Sequence, residues 1–224
     1  MNLYAALEGL KFPDEMVTRF FFKNGLQAAP GRVLELGCGN ANNLALFGAY
    51  GWHCAGLDIA PELLAQGQRN FQRLALAPPQ LMAGDLNDPL PDFGPLDALL
   101  LPSSLYYVHV DRARQIVHHV APMLAPGAPV FCRFRTPADH RHGQGDDLGQ
   151  DCFRLTIAET SELGCVNAFY TLERMLDLLA PCGIDTDTLR VMTLVFDNLG
   201  RDERMIRNNE IVLWGRTKTA AART

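Results

Sequence analysis

The residues with the clearest chemical potential follow a short apolar segment, in the stretch Val33-Leu-Glu-Leu-Gly-Cys-Gly-Asn-Ala-Asn-Asn43. Gly37 and Gly39 carry no Cβ, so the backbone there can adopt conformations closed to other residues and can approach a ligand closely. Glu35 brings a carboxylate to the same turn, where a cationic amino group would be a suitable partner. The pattern predicts a strand, a ligand-binding turn and then a helix.

Two further carboxylates end apolar segments later in the chain. The segment Trp52-His-Cys-Ala-Gly-Leu-Asp58 ends in an acid about twenty residues after the glycine turn, which is the offset at which a carboxylate reaches ribose hydroxyl groups. The segment Leu81-Met-Ala-Gly-Asp85-Leu86 ends in the same way. Since a carboxylate can accept a hydrogen bond from the exocyclic amine of adenine, the three acids together predict a nucleoside site.

The spacing of the glycines separates two kinds of nucleotide site. The dinucleotide fingerprint has a third glycine that lets its helix pack closely on the strand, and Asn42 stands at that position here. This spacing disfavours a nicotinamide or flavin site. An NAD(P)-dependent oxidoreductase nevertheless remains an alternative on the same fold.

Taken in order, these motifs resemble those of the class I S-adenosylmethionine-dependent methyltransferases, from about residue 33 to the C-terminus. The turn with Glu35 is similar to the first motif of the family, Asp58 to its ribose acid and Asp85 to its adenine acid. Leu101-Pro-Ser103 lies where the fourth strand of the family ends beneath the transferred methyl group. One departure is Ala41, which stands where many relatives have a third glycine.

The resemblance implies that the cofactor is S-adenosylmethionine and that residues at the strand ends bind it. The implied cofactor-binding residues are Glu35, Gly37, Cys38, Gly39, Asn42, Asp58, Ile59, Asp85, Leu86 and Leu101. The implied reaction is methyl transfer to a small-molecule acceptor. A non-catalytic protein that binds S-adenosylmethionine or S-adenosylhomocysteine is a second alternative.

Methyl transfer from a sulfonium is an in-line displacement, so alignment of the two reactants can lower the barrier by roughly 7 to 11 kcal/mol. A general base is needed only if the acceptor loses a proton. His109 and Tyr106 are the candidates, because they follow the fourth predicted strand and histidine titrates near neutral pH. The alternative is that His109 is a solvent-facing residue before a helix cap at Asp111.

Substrate contacts are expected from the leading helices, from the segment after the fourth strand and from a long polar loop. The candidate residues are Tyr4, Arg19, Tyr107 and Arg141. Loops of this length are usually functional or disordered. The loop also holds His140, His142 and several aspartates, but they crowd into one glycine-rich stretch without an acid from another strand end, so we predict no metal site.

Composition narrows the class of protein. A formal net charge of -5 argues against a nucleic-acid partner, because Lys and Arg supply most non-specific affinity for phosphate. No apolar run approaches the ~20 residues of a membrane helix, and the segment Met1–Glu8 lacks the pattern of a secretory signal. The six cysteines are scattered, which is typical of free thiols. We therefore expect a cytoplasmic monomer or homodimer that does not bind a membrane.

Strands and helices alternate along the chain, which is typical of a parallel sheet with right-handed crossovers. We predict an α/β fold, a Rossmann-like three-layer sandwich with a mainly parallel seven-stranded sheet and an antiparallel C-terminal edge hairpin. The strands are expected near residues 32–36, 52–58, 80–84, 96–101, 128–135, 188–197 and 207–215. Ligands bind such sheets at the carboxyl ends of the strands.

All 224 residues are predicted to form a single methyltransferase domain with four parts. These parts are an N-terminal helical cap (1–30), a cofactor-binding core (31–135), a long loop or substrate region (136–165), and a C-terminal helix with edge strands (166–224).

Overall fold

A seven-stranded sheet organises the fold in the computed structural model, which describes residues 3–200 and 203–219. In chain order the strands of the described residues are β1 (Arg32–Leu36), β2 (His53–Asp58), β3 (Gln80–Ala83), β4 (Ala98–Pro102), β5 (Pro129–Arg135), β6 (Gly145–Gly149), β7 (Cys152–Leu155), β8 (Val166–Ala168), β9 (Arg190–Leu199) and β10 (Met205–Arg216). The order in the large sheet is β3-β2-β1-β4-β5-β10-β9. The first five strands are parallel, and β10 is antiparallel to both of its neighbours.

Helices cover both faces of this sheet. They are α1 (Leu3–Ala6), α2 (Glu15–Lys23), α3 (Asn42–Ala49), α4 (Pro61–Arg73), α5 (Val110–Val120) and α6 (Leu172–Leu179). Side chains of α2, α3 and α4 pack on one face, against strand residues such as Val33, Leu100 and Phe131. Side chains of α5 and α6 pack on the other face, against Leu34 and Leu99 among others. The alternation of buried strand residues between two cores confirms the predicted three-layer sandwich.

The sheet has a topological switch point between β1 and β4. From β1 the chain proceeds outward through β2 and β3, and then returns to form β4 on the other side of β1. Val33 pairs with Cys54 in β2 and with Ala98 in β4. The crevice at the carboxyl ends of the two strands that flank a switch point is where open α/β sheets bind their ligands.

The predicted loop at 136–165 contains regular structure, which corrects our expectation. Strands β6 and β7 form a hairpin, and β8 completes a separate three-stranded antiparallel sheet. The hairpin turn uses Gln150 and Asp151, with φ of 55° and 56°, in place of the glycine-containing pair that marks such turns in a sequence. For this reason the pattern of residues concealed the hairpin.

The other element boundaries lie close to the predicted ones, with one change at the start of α5. The predicted cap of this helix was Asp111, but the helix begins at Val110 and His109 is its N-cap. The imidazole Nδ1 of His109 accepts a hydrogen bond from the backbone N–H of Asp111 at 3.3 Å.

Candidate active site

The glycine turn after β1 is attached to both neighbouring strands. The backbone N–H groups of Gly37 and Cys38 donate to the carbonyl of Leu57, at 2.8 and 3.1 Å. Gly37 has a φ of 74°, and a Cβ added there would lie 2.6 Å from the Cβ of Ser104, which follows β4. Position 37 therefore requires glycine for two reasons, its left-handed backbone and its contact with the segment after β4.

Asp58, at the end of β2, supports the same turn. Its Oδ2 accepts a hydrogen bond from the Gly39 N–H at 2.7 Å, and its Oδ1 accepts one from Ala60 at 3.0 Å. A Cβ added at Gly39 would meet no atom within 4 Å, so space is open beside this backbone. Ala41 has a left-handed φ of 57°, a conformation that a glycine at this position would adopt without strain.

Glu35 is buried beside the turn, with 1% of its surface exposed. Its Oε1 accepts a hydrogen bond from Nδ2 of Asn43 at 2.7 Å, whereas its Oε2 is buried without a partner among the described residues. Burial raises the pKa of Glu35 to about 8; the Asn43 bond opposes this rise, and the negative fields of Asp58 and Asp14 add to it. A cationic group at Oε2 would restore the charged form.

The second carboxylate of the predicted nucleoside site ends the segment after β3. Oδ1 of Asp85 accepts hydrogen bonds from the backbone and side-chain nitrogens of Asn87, at 2.8 and 3.0 Å. Ile59 directly follows Asp58, is 67% exposed and offers apolar surface after the end of β2. The carbonyl of Leu86 accepts a hydrogen bond from Arg112. Leu101 is fully buried, so its side chain packs in the core at the end of β4.

A buried polar cluster lies where β4 and β5 end. The guanidinium carbon of Arg135 lies 4.3 Å from the ring centre of Tyr106 and 5.5 Å from that of Tyr107. Glu162 lies in the segment between β7 and β8, and its Oε1 accepts a hydrogen bond from Tyr107 Oη at 2.6 Å and forms an ion pair with Arg135 at 2.7 Å. Arg141 contacts the other oxygen of Glu162. The cluster thus joins the small sheet to the methyl end of the predicted site.

The pKa shifts in this cluster limit its use as a base. Burial alone would raise the pKa of Glu162, but Arg135, Tyr107 and Arg141 hold it below its usual value. Burial raises the pKa of Tyr106 and that of Tyr107. Both phenols therefore stay protonated near neutral pH, where they can donate hydrogen bonds but cannot accept a proton.

Removing one partner of the buried cluster is expected to destabilise the fold. The substitution Arg135→Ala should lower the free energy of unfolding by about 3 kcal/mol, because it leaves a buried carboxylate with fewer compensating charges. The control is Arg19→Ala, since Arg19 is exposed and pairs with Glu15 at 2.6 Å one turn away on α2. That change should cost at most about 0.5 kcal/mol. Urea unfolding of both variants measures the contrast, and equal losses would contradict it.

The remaining predicted site residues occupy different places. Tyr4 is half exposed and its ring centre lies 5.2 Å from that of Phe12. Arg19 faces solvent in the middle of α2, and the structure does not bring it to the cluster at the strand ends. His109 caps α5 and also lies 3.4 Å from a carboxylate oxygen of Asp111. Arg141 is buried, donating to Asp139 at 3.0 Å as well as contacting Glu162.

The two histidines of the 136–165 segment have different surroundings. His140 is exposed, and His142 contacts Asp151 at 3.3 Å while packing against the rings of Phe153 and Phe169. Within residues 3–200 and 203–219, no group of three or more His, Cys, Asp or Glu side chains is arranged to hold a metal ion.

Several residues at the site were not among the residues predicted from the sequence. Ser104 is buried beside Gly37, and its Oγ has no partner in the described part of the chain. Asn43, Arg135 and Glu162 were also not predicted as site residues. The asparagines of the first motif were a usable signal, because amides directly after a glycine turn at a helix N-terminus often serve backbone groups.

Comparisons with known proteins agree with this geometry. A family model described as a methyltransferase domain matches residues 33–127. Among solved structures, the fold is similar to a SAM-dependent methyltransferase from Methanosarcina mazei, at 15% identity and a TM-score of 0.67, over 93% of this chain and 99% of the other. An S-adenosylmethionine-dependent methyltransferase from Clostridium acetobutylicum has 14% identity and a TM-score of 0.61, over 97% and 95%.

A third similar structure contains the cofactor. Magnesium protoporphyrin IX methyltransferase from Synechocystis, solved with bound S-adenosylmethionine, has 15% identity and a TM-score of 0.59, over 91% of this chain and 77% of the other. No curated protein sequence matches this chain.

The fold, with its switch-point crevice, is the Rossmann-like fold of these methyltransferase structures. Residues 33–127 thus match a methyltransferase-domain model, and the chain shares its fold with S-adenosylmethionine-dependent methyltransferases. None of the helices in the described ranges has the length and hydrophobicity needed to cross a bilayer.

The chemistry of the crevice fits this cofactor. S-adenosylmethionine carries an ammonium group on its methionine part, and the unpartnered Oε2 of Glu35 is an acceptor that such a group can use. Next to it, the backbone of Gly39 borders open space. When bound, the cofactor supplies an electrophilic methyl group on sulfur.

Proposed function

We propose that this protein transfers the methyl group of S-adenosylmethionine to a small-molecule acceptor. The observation that carries the proposal is the buried, half-paired carboxylate of Glu35 beside an open glycine turn at the switch point. A buried carboxylate beside bare backbone suits a ligand that has a cationic group and can approach the main chain closely. The predicted sulfonium cofactor has both features.

Within this proposal each of the three acids contacts a different part of the cofactor. Glu35 accepts from the ammonium group, Asp58 from the ribose hydroxyls and Asp85 from the adenine amine. Asp58 and Asp85 already accept backbone hydrogen bonds, but an ionised carboxylate has about four acceptor positions. Ile59 and Leu86 would flank the adenine ring.

The acceptor is expected above the ends of β4 and β5. Tyr107 is the ring of the buried cluster that reaches the surface, with 38% of its area exposed. Its hydroxyl is oriented by Glu162, so it can position an acceptor without removing a proton. The net charge of -5 disfavours a nucleic acid as acceptor. Catalysis would then rest mainly on alignment of the acceptor with the methyl group.

A labelling experiment tests the class of acceptor. The purified protein is incubated with methyl-tritiated S-adenosylmethionine and a cell extract separated into fractions below and above 3 kDa by filtration, a cut-off on the order of a few tens of residues. The proposal expects label in new low-mass products and formation of S-adenosylhomocysteine. Label only in the macromolecular fraction would contradict a small acceptor. Binding of the cofactor without any transfer would favour a non-catalytic binding protein.

The role of Asp85 gives a separate prediction. Asp85→Ala should weaken S-adenosylhomocysteine binding by about tenfold, the loss of one hydrogen bond to a charged acceptor. Asp92→Ala is the matched control, because Asp92 makes the same kind of turn, accepting from the backbone N–H of Gly94 at 2.8 Å. Calorimetric titration of both variants measures the difference. Equal affinities in the two variants would remove Asp85 from the site.

A further inference from the structure

Residues 8–14, here called the strap, cross the glycine turn and are held there by side-chain amides. Nδ2 of Asn40 donates to the carbonyls of Glu8 and Leu10, at 2.8 and 2.9 Å. Nδ2 of Asn42 donates to the carbonyl of Phe12 at 2.7 Å. The strap is thus fixed to the first residues after the proposed cofactor-binding turn.

Asn43 differs from these two asparagines because its amide has two different kinds of partner. Its Oδ1 accepts from the backbone N–H of Asp14, the last residue of the strap, at 2.8 Å. Its Nδ2 donates to Oε1 of Glu35 at 2.7 Å. Since one end must accept and the other must donate, these partners also fix the orientation of the amide. One buried side chain therefore connects the strap to the carboxylate of the turn.

We propose that Asn43 is a positioning residue, which orients Glu35, favours its charged, ligand-binding form over the protonated one, and couples cofactor binding to closure of the strap. This inference rests on the proposed function, since it takes Glu35 as the acceptor for the ammonium group. The coupling is reciprocal, so a ligand that fixes Glu35 also stabilises the strap, and a closed strap strengthens ligand binding.

The charged groups around Glu35 determine the sign of the effect. Asp58, from β2, and Asp14, at the end of the strap, both disfavour its ionisation. The charge of Asp14 is partly compensated by Arg133 of β5 at 2.7 Å, and Arg133 also pairs with Glu210 of β10. The thiols of Cys38 and Cys54 also face it, and burial raises their pKa values so that they stay neutral.

Among the described residues, Asn43 is the donor that offsets this unfavourable environment. Without the amide, Glu35 should bind its proton more tightly. A proton on Glu35 competes with an ammonium ligand, so the affinity for the ligand should rise with pH up to the pKa of Glu35 and level off above it. The pH at which the affinity levels off is here called the levelling point, and loss of the amide should move it to higher pH.

The test is calorimetric titration with S-adenosylhomocysteine from pH 6 to 9 for the wild-type protein and three variants. In the wild type, Kd should fall by up to about tenfold per pH unit and level off near pH 8. Asn43→Ala should shift the levelling point upward. Asn40→Ala removes two strap bonds without contacting Glu35, and it should leave the levelling point unchanged. The titration of the ligand itself is common to all four proteins.

The third variant, Asn43→Asp, separates the two contacts of the amide. Its carboxylate can still accept from Asp14, but it cannot donate to Glu35 and adds a like charge, so the upward shift should be at least as large as in Asn43→Ala. If a loosened strap alone shifted the pH at which the affinity levels off, Asn40→Ala should show the shift. Asn43→Asp, which keeps its bond to the strap, should then not show it. This variant also carries the test if Asn43→Ala does not fold.

Hydrogen exchange of residues 8–14 provides the second readout. Saturating S-adenosylhomocysteine should slow their exchange in the wild type and much less in Asn43→Ala. The inference is overturned if S-adenosylhomocysteine binds the wild type but every variant keeps its levelling point and its protection. A wild-type protein that binds no S-adenosylhomocysteine at all would instead refute the proposed cofactor site.

Discussion

Replacing Glu35 by glutamine should weaken the binding of S-adenosylhomocysteine at pH 8 by about 10- to 100-fold, the loss expected for a hydrogen bond between charged groups. The amide keeps the shape of the side chain, but it cannot provide the charge that compensates a buried ammonium group. The dependence of affinity on pH below about 8 should disappear in the same variant, because no proton then competes for this position. Calorimetric titration at pH 6 and pH 8 measures both effects.

The same substitution should increase the stability of the ligand-free protein at alkaline pH. The folded state raises the pKa of Glu35 from 4.5 to about 8, so it retains a proton that the unfolded chain releases above its ordinary pKa. The wild type therefore loses stability as pH rises from about 4.5 to 8, and Glu35→Gln does not incur this loss. Urea unfolding should show a more stable variant at pH 8 and similar proteins at pH 4. Unchanged affinity together with unchanged stability would contradict the role of Glu35.

The two glycines of the turn should respond differently to alanine. In Gly37→Ala the new Cβ would lie 2.6 Å from the Cβ of Ser104 at a φ of 74°. Overpacking and left-handed strain together predict a loss of about 2 to 4 kcal/mol in the free energy of unfolding. In Gly39→Ala the new Cβ meets no protein atom, so the cost is only the backbone strain of about 1 kcal/mol.

For ligand binding, Gly39→Ala is the more informative of the two variants. Gly39→Ala should fold and yet lose at least about tenfold in affinity for S-adenosylhomocysteine, because its methyl group occupies the open space beside the turn. Gly25→Ala is a matched control, since Gly25 also has a left-handed φ and open space around a Cβ, but lies at the end of α2. A folded Gly39→Ala protein that binds the ligand as tightly as the Gly25→Ala protein would place the ligand elsewhere.

Much of the fold could be predicted because its signals are local. Apolar segments that end in glycine or an acid mark the parallel strands, and α3 and α4 follow two of these segments, beginning at Asn42 and Pro61. The edge hairpin was also predicted, and the strands β9 and β10 pair as expected. Each of these features depends on residues adjacent in sequence, so one chain suffices to recognise them.

The small sheet formed by β6, β7 and β8 could not be predicted in the same way. Its turn residues, Gln150 and Asp151, are not the residues that normally adopt left-handed backbone. Glu162, in the segment between β7 and β8, becomes buried only through contacts with the distant residues Tyr107 and Arg135. A polar, glycine-rich segment therefore looked like a loop.

The residues of the site show the same difference between local signals and long-range contacts. The positions of Glu35, Gly37, Gly39 and Asp58 around one turn could be predicted because the family motif records their spacing, and their binding roles stay predictions. Ser104 could not, because its importance arises from the parallel pairing of β1 and β4, which brings it against Gly37. The catalytic role of His109 stays a prediction, and its Nδ1 accepts the hydrogen bond of a helix cap.

The most direct test of the account is isothermal titration of the purified protein with S-adenosylmethionine, S-adenosylhomocysteine and NADH, repeated on Asp58→Ala. We expect micromolar dissociation constants, about -8 kcal/mol, for the two sulfur nucleosides, none detectable for NADH, and strong weakening in the variant. Asp58 supports the turn through Gly39, so a thermal unfolding curve of the variant accompanies the titration. Binding of NADH instead, or of neither class of ligand, would contradict the assignment of the switch-point crevice as an S-adenosylmethionine site.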